Sequence, residues 1–555
     1  MNLIIHNANI YTMDYTNPCA AANCVANLGC TTSTGSRIRP RRSAIACENG
    51  VITAIGRDED VLHLAKPHTR IINAEGRTVI PGLNDSHLHY LGYAITKNEA
   101  DISAARSVND IVEIMRRHIK DKNISIGSTV IGNGYNENFF NADKGTSPTK
   151  ADLDKISTTH PICIKRACRH VCVVNSAMLA KCNITASTNI PGGEIITVNG
   201  EPTGVLTENA LDIINSQIVY TKDDLKRLIV SAQPDLAKYG ITSIATDDFY
   251  PMFPYQDVVA AYTALAENGL LTVRVTEKTK ALDIGALRNM LALPQTCEDI
   301  RPFFRLGPVK ILADGSLGAR TAFMLDDYAD DPGNRGLRIL DEESLHLMIK
   351  TLHNAGYDAA VHTIGDGALK MALDAMEAAQ RATPRKNARH GVVHAQITTP
   401  ELIRRMAGLN VFAYIQPIFI HADTAILNAR VGAAKAATSY AFRTMYELGI
   451  KTPMGTDCPV EPLNPFNNIY CAVTQKTLDG MMTLNQHETM SVMQTVQAYT
   501  THGAYATREE CVKGKLAPGY YADMAILTKN IFEIPADEIP TTEVYSTIVN
   551  GALIE

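Results

Sequence analysis

The sequence places histidine, lysine and aspartate side chains where they could bind a metal ion. His87 and His89 are separated by one residue and follow an apolar, β-branched run that begins at Val79. In extended backbone, residues i and i+2 face the same side, so both imidazoles can point at one site. Neutral imidazole is the commonest metal ligand in proteins, and zinc binds nitrogen readily. The pair alone is equally compatible with a chance arrangement at the end of a core strand, so the rest of the chain must decide.

Four more reactive side chains lie at or near the ends of later predicted strands, namely Lys310, His362, His394 and Asp457. With the histidine pair they supply four imidazoles and a carboxylate, enough to hold one or two divalent ions, and zinc is the expected metal. Such an ion would lower the pKa of water, and Asp457 could carry the proton to a leaving group. Lys310 could supply a bridging anion by forming a carbamate with carbon dioxide, or it could be an ordinary ion-pair lysine.

Strands that alternate with helix-length segments would bring these side chains together. This repetition predicts a parallel sheet, and eight strands are the number that a closed (β/α)8, TIM-like barrel requires. Active sites of such barrels form at the carboxyl ends of the strands, which is where the candidate ligands lie. The eight candidates are the segment before His87 and residues 241–246, 271–275, 309–314, 359–362, 391–394, 411–415 and 452–457.

The two ends of the chain differ from this pattern and are rich in short β-like runs. We predict that residues 1–80 and 505–555 form one small composite β-sandwich domain, because chain termini often lie close in space. Residues 81–504 would then form the barrel, with an insertion at about 121–219 that could roof a pocket. Residues 17–42 are predicted to be a loop excursion.

Length and composition are typical of a globular enzyme and show no sign of a nucleic-acid-binding, secreted or membrane-spanning protein. The chain has 555 residues, a formal net charge of -6 and 20% charged residues, without a long basic stripe, so nucleic acid is not an expected partner. It shows neither a signal-peptide pattern nor an apolar run of the ~20 residues that a membrane helix needs. The 12 cysteines lack paired C-x-x-C spacing. We therefore expect reduced thiols, no membrane partner and a cytoplasmic location.

Several longer motifs make the chain resemble the amidohydrolase superfamily and, within it, the YtcJ-like branch that includes N-substituted formamide deformylases. The resemblance covers nearly the whole chain. The motifs are PGLNDSHLH at 81–89, VKILADGSLGART at 309–321, HTIGD at 362–366, VHAQ at 393–396, GTDCPV at 455–460 and LAPGYYAD at 516–523.

The resemblance implies a TIM-like barrel with a composite β domain that hydrolyses an amide-like C–N bond. His87, His89, His362, His394 and Asp457 match the family's metal positions, and Lys310 matches a lysine that many members carbamylate. A homodimer is a further expectation from the family.

Four residues are expected to contact the substrate. Arg166 and His170 resemble a family segment that faces it, and Tyr135 stands where relatives often have tryptophan. His170 could polarise a carbonyl or donate a proton, or it could only pack the insertion. Arg320 could clamp a substrate carboxylate or tie down its own loop.

One further carboxylate has two open roles. Asp366 is expected to orient His362 or to cap the helix that follows.

The expected function is hydrolysis of a linear amide, an N-formyl or N-acyl amine, in which metal-activated water attacks the carbonyl and Asp457 shuttles the proton. Two alternatives stay open at this point. One is a different reaction on the same site, such as deamination or hydrolysis of a cyclic amide or lactone. The other is a non-catalytic regulatory protein on the same scaffold, although a decayed enzyme would be expected to have lost ligands.

Overall fold

The computed structural model describes residues 2–14, 43–141, 147–167, 171–190, 193–208, 210–218, 220–249, 253–292 and 300–554. The predicted excursion at 17–42 lies outside these ranges. The described chain divides into two compact units, one of residues 1–90, 230–248 and 262–555 and the other of residues 91–229 and 249–261.

The first unit contains a seven-stranded, all-parallel sheet whose neighbours follow one another in chain order. Each strand is bordered by its sequence neighbour, as expected when helices return the chain to the start of the next strand. The strands, first to seventh, are Leu83–Leu88, Ile241–Thr246, Arg274–Lys280, Phe304–Leu312, Ala359–Thr363, Gly391–His394 and Phe412–Tyr414.

The eighth position is filled by a segment that is not a regular strand. Residues 452–457 make one isolated parallel bridge, from Met454 to Ile415. The segment nevertheless joins both edges of the sheet, since Met454 accepts a hydrogen bond from Ser86 at 3.0 Å and Gly455 donates one to Ile415 at 3.0 Å. Pro453 cannot donate to a ladder, which explains the irregularity. The predicted barrel is thus nearly closed by seven strands and this segment.

Close approach to the first strand depends on Gly455. A Cβ atom at this position would lie 2.4 Å from the backbone nitrogen of His87. Only glycine therefore allows the closing segment to lie directly against the strand that carries His87.

The third barrel strand begins later than predicted. The prediction at 271–275 followed the apolar residues, whereas the strand spans Arg274–Lys280 and includes buried charged residues. Polar partners inside the barrel make this possible, for example the bond from the Asp248 nitrogen to Glu277 Oε1 at 3.0 Å. Apolar periodicity cannot reveal a strand whose buried face is polar.

The apolar run that precedes His87 divides between two sheets. Thr78–Pro81 pairs antiparallel with Met524–Leu527, in a five-stranded sheet that also contains Asn9–Ile10, Val544–Val549 and Ala552–Ile554. A four-stranded sheet contains Leu3–His6, Ala44–Glu48, Val51–Gly56 and Arg70–Asn73. Buried residues of both sheets, such as Ile5, Ile45 and Ile526, share one apolar core. Strands from both ends of the chain therefore contribute side chains to this core.

Helices follow the strands, and several begin at side chains that cap them. Asp341 accepts a hydrogen bond from the Ser344 nitrogen at the start of one helix, and Thr399 does the same for Leu402 at the start of another. The helices of six or more residues are Tyr90–Asn98, Val108–Asp121, Ser176–Lys181, Leu211–Ser216, Lys222–Lys238, Tyr255–Glu267, Ile284–Leu291, Glu342–Asn354, Asp366–Ala382, Pro400–Gly408, Phe419–Ala436, Phe442–Glu447, Pro465–Thr474 and Val492–Gln497.

The second unit has its own six-stranded mixed sheet and two apolar clusters. It begins earlier than the insertion predicted at 121–219. Its strands are Ala100–Asp101, Val130–Tyr135, Ile162–Arg166, Val171–Val174, Gly193–Val198 and Glu201–Glu208.

No helix in the described ranges is long and apolar enough to cross a membrane.

Candidate active site

The polar side chains at the carboxyl ends of the barrel strands converge on one buried point. His87, His394 and Asp457 each offer a ligand atom within 4.8 Å of the others. These atoms come from the first strand, the sixth strand and the closing segment, which are far apart in the sequence. The barrel brings them together because the ends of parallel strands lie on the same rim.

Two further candidates border this group. His89 Nε2 lies 3.1 Å from Asp457 Oδ1, and His87 Nε2 lies 3.4 Å from the same oxygen. Lys310 Nζ lies 3.1 Å from His87 Nε2. The imidazole of His362 is 4.6 Å from that of His394, measured between ring centroids. All six residues predicted as metal ligands thus lie in one cluster.

The spacing of these atoms is compatible with one shared cation. His87, His394 and Asp457 offer ligand atoms within 4.8 Å of one another, and the separations from Asp457 Oδ1 to His89 Nε2 and His87 Nε2 are 3.1 and 3.4 Å. His394 Nδ1 is also buried without a hydrogen-bond partner among the described residues. Because buried polar atoms are normally satisfied, an unpaired imidazole nitrogen beside a buried carboxylate and other imidazoles fits a site for a cation.

Backbone conformation at the rim is unusual. His394 has φ 78° and Asp457 has φ 58°, both in the left-handed region that non-glycine residues seldom adopt. Such conformations cost about 1–3 kcal/mol each and concentrate at functional sites. The left-handed conformations direct the side chains of His394 and Asp457 toward the histidine cluster, at the points where the sixth strand and the closing segment leave the barrel.

Asp85 fastens the closing segment to the first strand. Its carboxylate accepts hydrogen bonds from Thr456 Oγ1 at 2.6 Å and from the His87 nitrogen at 3.2 Å. Burial raises the pKa of Asp85 to about 7, although the bonds from Thr456 oppose that shift. The contact holds Asp457 at a fixed distance from His87.

Burial sets the charge of the histidines. It lowers the pKa of His87 well below the usual value, and the charges of Lys310 and Lys278 lower it further. Burial likewise lowers the pKa of His394, with His362 as the next cause. At His89 burial also opposes protonation, but the hydrogen bond and charge of Asp457 outweigh it and raise the pKa. His87 and His394 are therefore neutral at physiological pH, as a metal ligand must be.

Two buried lysines lie on the third and fourth strands beside His87. Burial lowers the pKa of Lys310 to about 8, partly offset by the charges of Asp247 and Asp457. Burial and the charge of Lys310 lower the pKa of Lys278 to about 7. Lys278 Nζ lies 3.1 Å from His87 Nδ1 and 3.2 Å from the carbonyl oxygen of Ala245. Lys278 was not predicted from the sequence, because the third strand was placed too early.

Two other groups orient the histidines and were also missed. His89 Nδ1 lies 2.9 Å from the carbonyl oxygen of Asp247, and His362 Nδ1 lies 3.0 Å from Asp314 Oδ1. Each contact leaves Nε2 as the ring nitrogen available to an ion. A main-chain carbonyl has no sequence signal, but Asp314 does: it is a carboxylate at the end of a strand, inside the 309–321 motif.

The expectation for Asp366 was wrong. It neither orients His362 nor caps the helix, since it is the first helical residue and Gly365 is the cap. Its carboxylate accepts a hydrogen bond from the Leu325 nitrogen at 2.9 Å and pairs with Lys435 at 2.7 Å. Asp366 therefore ties the loop at Leu325 and the helix Phe419–Ala436 to its own helix.

The predicted substrate residues lie in different places. Arg320 pairs with Asp330 through two hydrogen bonds of 2.9 and 3.0 Å, which is the geometry expected if it ties down its loop. In the second unit, Tyr135 is buried in an apolar cluster, and Arg166 Nε lies 3.0 Å from Glu137. His170 lies outside the described residues.

Fold and site together define a parallel α/β barrel with a candidate cation centre at the carboxyl ends of its strands. The sequence model of the amidohydrolase family matches residues 70–554, and the chain belongs to that family. The resemblance noted from the motifs is thereby confirmed.

Individual relatives match over almost their whole length. The putative amidohydrolase YtcJ of Bacillus subtilis (strain 168) is 32% identical over 526 residues, which cover 93% of this chain and 96% of that protein. The N-substituted formamide deformylase of Arthrobacter pascens is 23% identical over 562 residues, covering 100% and 98%. A crystal structure of an uncharacterized metal-dependent hydrolase from Pyrococcus furiosus has a TM-score of 0.76 and 26% identity, covering 96% of this chain and 100% of that one.

Proposed function

We propose that this protein is a metal-dependent hydrolase that cleaves an amide-like C–N bond, in an N-formyl or N-acyl amine. The observation that carries the proposal is the convergence of His87, His394 and Asp457, whose ligand atoms lie within 4.8 Å of one another in a buried site. Family membership supports a hydrolase, and the relative from Arthrobacter pascens is an N-substituted formamide deformylase, which supports this substrate class.

A divalent ion, which we propose to be zinc, would be held by the two histidines and Asp457, with His89, His362 and Lys310 close enough to complete one or two sites. When bound, it would lower the pKa of water and polarise a carbonyl oxygen. The rim would shield the reaction from bulk water, because His87 and Asp457 are only 0% and 4% exposed.

Asp457 is the proposed proton carrier. Its carboxylate belongs to the group formed with His87 and His394, and it lies next to the imidazoles of His87 and His89. In the proposed reaction it accepts a proton from the attacking water and donates it to the departing nitrogen.

Lys310 is proposed to carry a carbamate. With its pKa lowered to about 8, an appreciable fraction of its amine is neutral near neutral pH and can attack carbon dioxide. Protein labelled in 13C-enriched bicarbonate should show a carbamate carbon signal that is absent from Lys310→Met. An identical signal in both proteins would contradict the assignment.

The whole proposal is tested by metal analysis together with substrate screening. We expect the purified protein to contain one or two equivalents of a divalent ion, to hydrolyse N-substituted formamides or N-acyl amines, and to lose this activity after chelation. Activity that survives chelation would contradict it. Cyclic amides, lactones and deaminase substrates belong in the same screen, because they separate the bond classes.

Substrate contacts, assembly and compartment stay predictions. We propose Arg166, Tyr135, His170 and Arg320 as substrate residues, a homodimer as the assembly and the cytoplasm as the location. Sedimentation of the purified protein tests the dimer.

A further inference from the structure

A polar cavity lies at the end of the barrel opposite the candidate metal centre. Its volume is about 440 Å³, and its wall includes residues 301, 305–308, 355–358, 389 and 506–508. These residues stand at the amino-terminal ends of the fourth, fifth and sixth strands, or beside them. A volume of this size lies within the range of small-molecule sites, about 300–1,000 Å³.

This cavity is separate from the candidate metal centre. Arg305 and Lys310 lie on the same strand, five residues apart, which at ~3.3 Å per residue corresponds to roughly 16 Å. Asp358 and His362 are four residues apart on the next strand. A molecule bound at one end of the barrel would therefore not contact ligands at the other.

Arginine dominates the charged lining. The charged residues in the described lining of the cavity are four arginines and one carboxylate, that of Asp358. The arginines are Arg301, Arg305, Arg389 and Arg508. A guanidinium presents several donors in a fixed fork, which suits carboxylate and phosphate oxygens.

Arg508 and Arg389 are paired with carboxylates and serve the architecture. Arg508 Nε donates to Asp358 Oδ2 at 3.0 Å, and Arg389 donates to Glu510 Oε2 at 3.0 Å. These contacts join residues that follow the barrel to the amino-terminal ends of its strands. They stabilise the fold, which is the usual role of this end of such a barrel.

Arg305 is not satisfied in this way. Its Nε is buried without a hydrogen-bond partner among the described residues, and its nearest carboxylate, Glu509, is 3.8 Å away. Glu509 lies closer to Lys513, at 2.6 Å. Burial lowers the pKa of Arg305, and the positive charges of Arg301 and Arg508 lower it further against the opposing effect of Glu509.

We propose that this arginine-lined cavity binds a small organic polyanion carrying phosphate or carboxylate groups. The anion would accept hydrogen bonds from Arg305 and Arg301 and would relieve the repulsion between neighbouring guanidinium groups. A single phosphate ion would fill only part of the volume, so the ligand has more than one anionic group. This inference does not depend on the proposed hydrolase activity.

Titration calorimetry of the full chain tests the proposal, with pyrophosphate and citrate as probes and chloride at equal ionic strength as the reference. Arg301→Gln, Arg305→Gln and the double variant remove the proposed contacts. Arg57→Gln is the matched control, because it removes the same charge from an exposed arginine paired with Asp60. Arg301 is itself exposed, so its variant is expected to fold.

We expect at least one probe to bind the wild-type protein and the Arg57→Gln variant equally, and each cavity variant to bind it about tenfold more weakly. Both probes can also bind metal ions, but binding at the metal centre would survive in Arg301→Gln. Equal binding by wild type and Arg301→Gln, or no probe that binds better than chloride, would overturn the proposal.

Discussion

At the scale of single residues, the side chain of Asp457 has two proposed roles, metal binding and proton transfer. It lies against His87 and His89, and its backbone is held in the left-handed region by the closing segment. Asparagine keeps the shape of the side chain and one ligand oxygen but cannot carry a proton. The proton-transfer and metal-binding roles are therefore separable by one substitution.

For Asp457→Asn we expect metal to be retained and turnover to fall by about 100- to 10,000-fold, the usual contribution of a general acid–base. Metal content by mass spectrometry and steady-state rates measure the two effects. Asp327→Asn is the control, since that exposed carboxylate pairs with Arg335 and the Gly333 nitrogen and takes no part in the histidine cluster. Unchanged turnover in Asp457→Asn would refute the assigned role.

Asp314 would support the proposed ion indirectly, through its contact with His362. It contacts His362 Nδ1 and also accepts hydrogen bonds from the backbone of Ile364, Gly365 and Phe323. In Asp314→Asn, an amide NH₂ group replaces one carboxylate oxygen, so at least one of these donors would lose its acceptor. We expect metal affinity to fall by about 10- to 100-fold, as is usual when such supporting groups are lost.

Competition with a fluorescent chelator measures that change, and Asp326→Asn provides an exposed control of the same chemistry. Equal affinity in Asp314→Asn and wild type would show that the contact with His362 does not matter for binding.

The sequence was sufficient to predict the ligand candidates but not the groups that support them. His87, His394 and Asp457 were recognisable because residue type and position at a strand end are both sequence properties. The carbonyl oxygen of Asp247 depends only on backbone geometry, and Lys278 lies in a strand whose buried polar face hides its periodicity. That these side chains meet at one point is visible only in the folded barrel.

At the scale of secondary structure, a buried histidine pair joins a helix to the strand that carries His394. The Ala359 nitrogen donates to His390 Nδ1 at 3.1 Å, His390 Nε2 lies 2.8 Å from His353 Nδ1, and His353 Nε2 lies 2.8 Å from the Thr383 carbonyl. This chain of contacts requires both rings to be neutral. Burial lowers the pKa of His390 to about 4.

Stability should therefore fall on acidification. Between the ordinary histidine pKa near 6.5 and about 4, the unfolded state binds a proton at His390 and the folded state does not, so the free energy of unfolding decreases as pH falls through this window. The loss is on the order of 3 kcal/mol across the window. Urea unfolding at several pH values measures it.

His390→Gln isolates this contribution from the other groups that titrate in the same range. We expect a shallower dependence of unfolding free energy on pH in the variant. Parallel curves for variant and wild type would contradict the assignment to His390.

Local sequence marks helices more clearly than it marks barrel strands. The helix Glu342–Asn354, for example, begins at the capping side chain of Asp341 and buries the apolar residues Leu345, Met348, Ile349 and Leu352. The closing segment with Met454 was predicted as a strand, yet it is held mainly by hydrogen bonds to its two neighbours and by Asp85. Such contacts depend on the neighbouring segments, so local sequence cannot specify them.

At the scale of the whole molecule, one buried ion pair links the barrel to the last part of the chain. Arg274 Nε donates to Asp523 Oδ2 at 2.6 Å, and its guanidinium lies 3.8 Å from the ring centroid of Tyr521. The two side chains are 2% and 6% exposed. Removal of one partner would leave the other charge buried without compensation.

We expect Asp523→Ala to lower the free energy of unfolding by about 3–5 kcal/mol, the typical cost of breaking a buried pair. The double variant Arg274→Met with Asp523→Leu should recover much of this loss, because neither charge is then left alone. Urea denaturation measures both. An equally destabilised double variant would show that the charges themselves are required.

The pairing of Thr78–Pro81 with Met524–Leu527 also constrains how the chain matures. While a ribosome is still translating the barrel, this early strand has a hydrogen-bonding edge with no partner, because the segment that will cover it has not been made. Exposed edges of this kind attract other nascent chains. Synthesis of Met524–Leu527 is therefore the event that covers this edge, and chaperone demand should drop once these residues have left the ribosome.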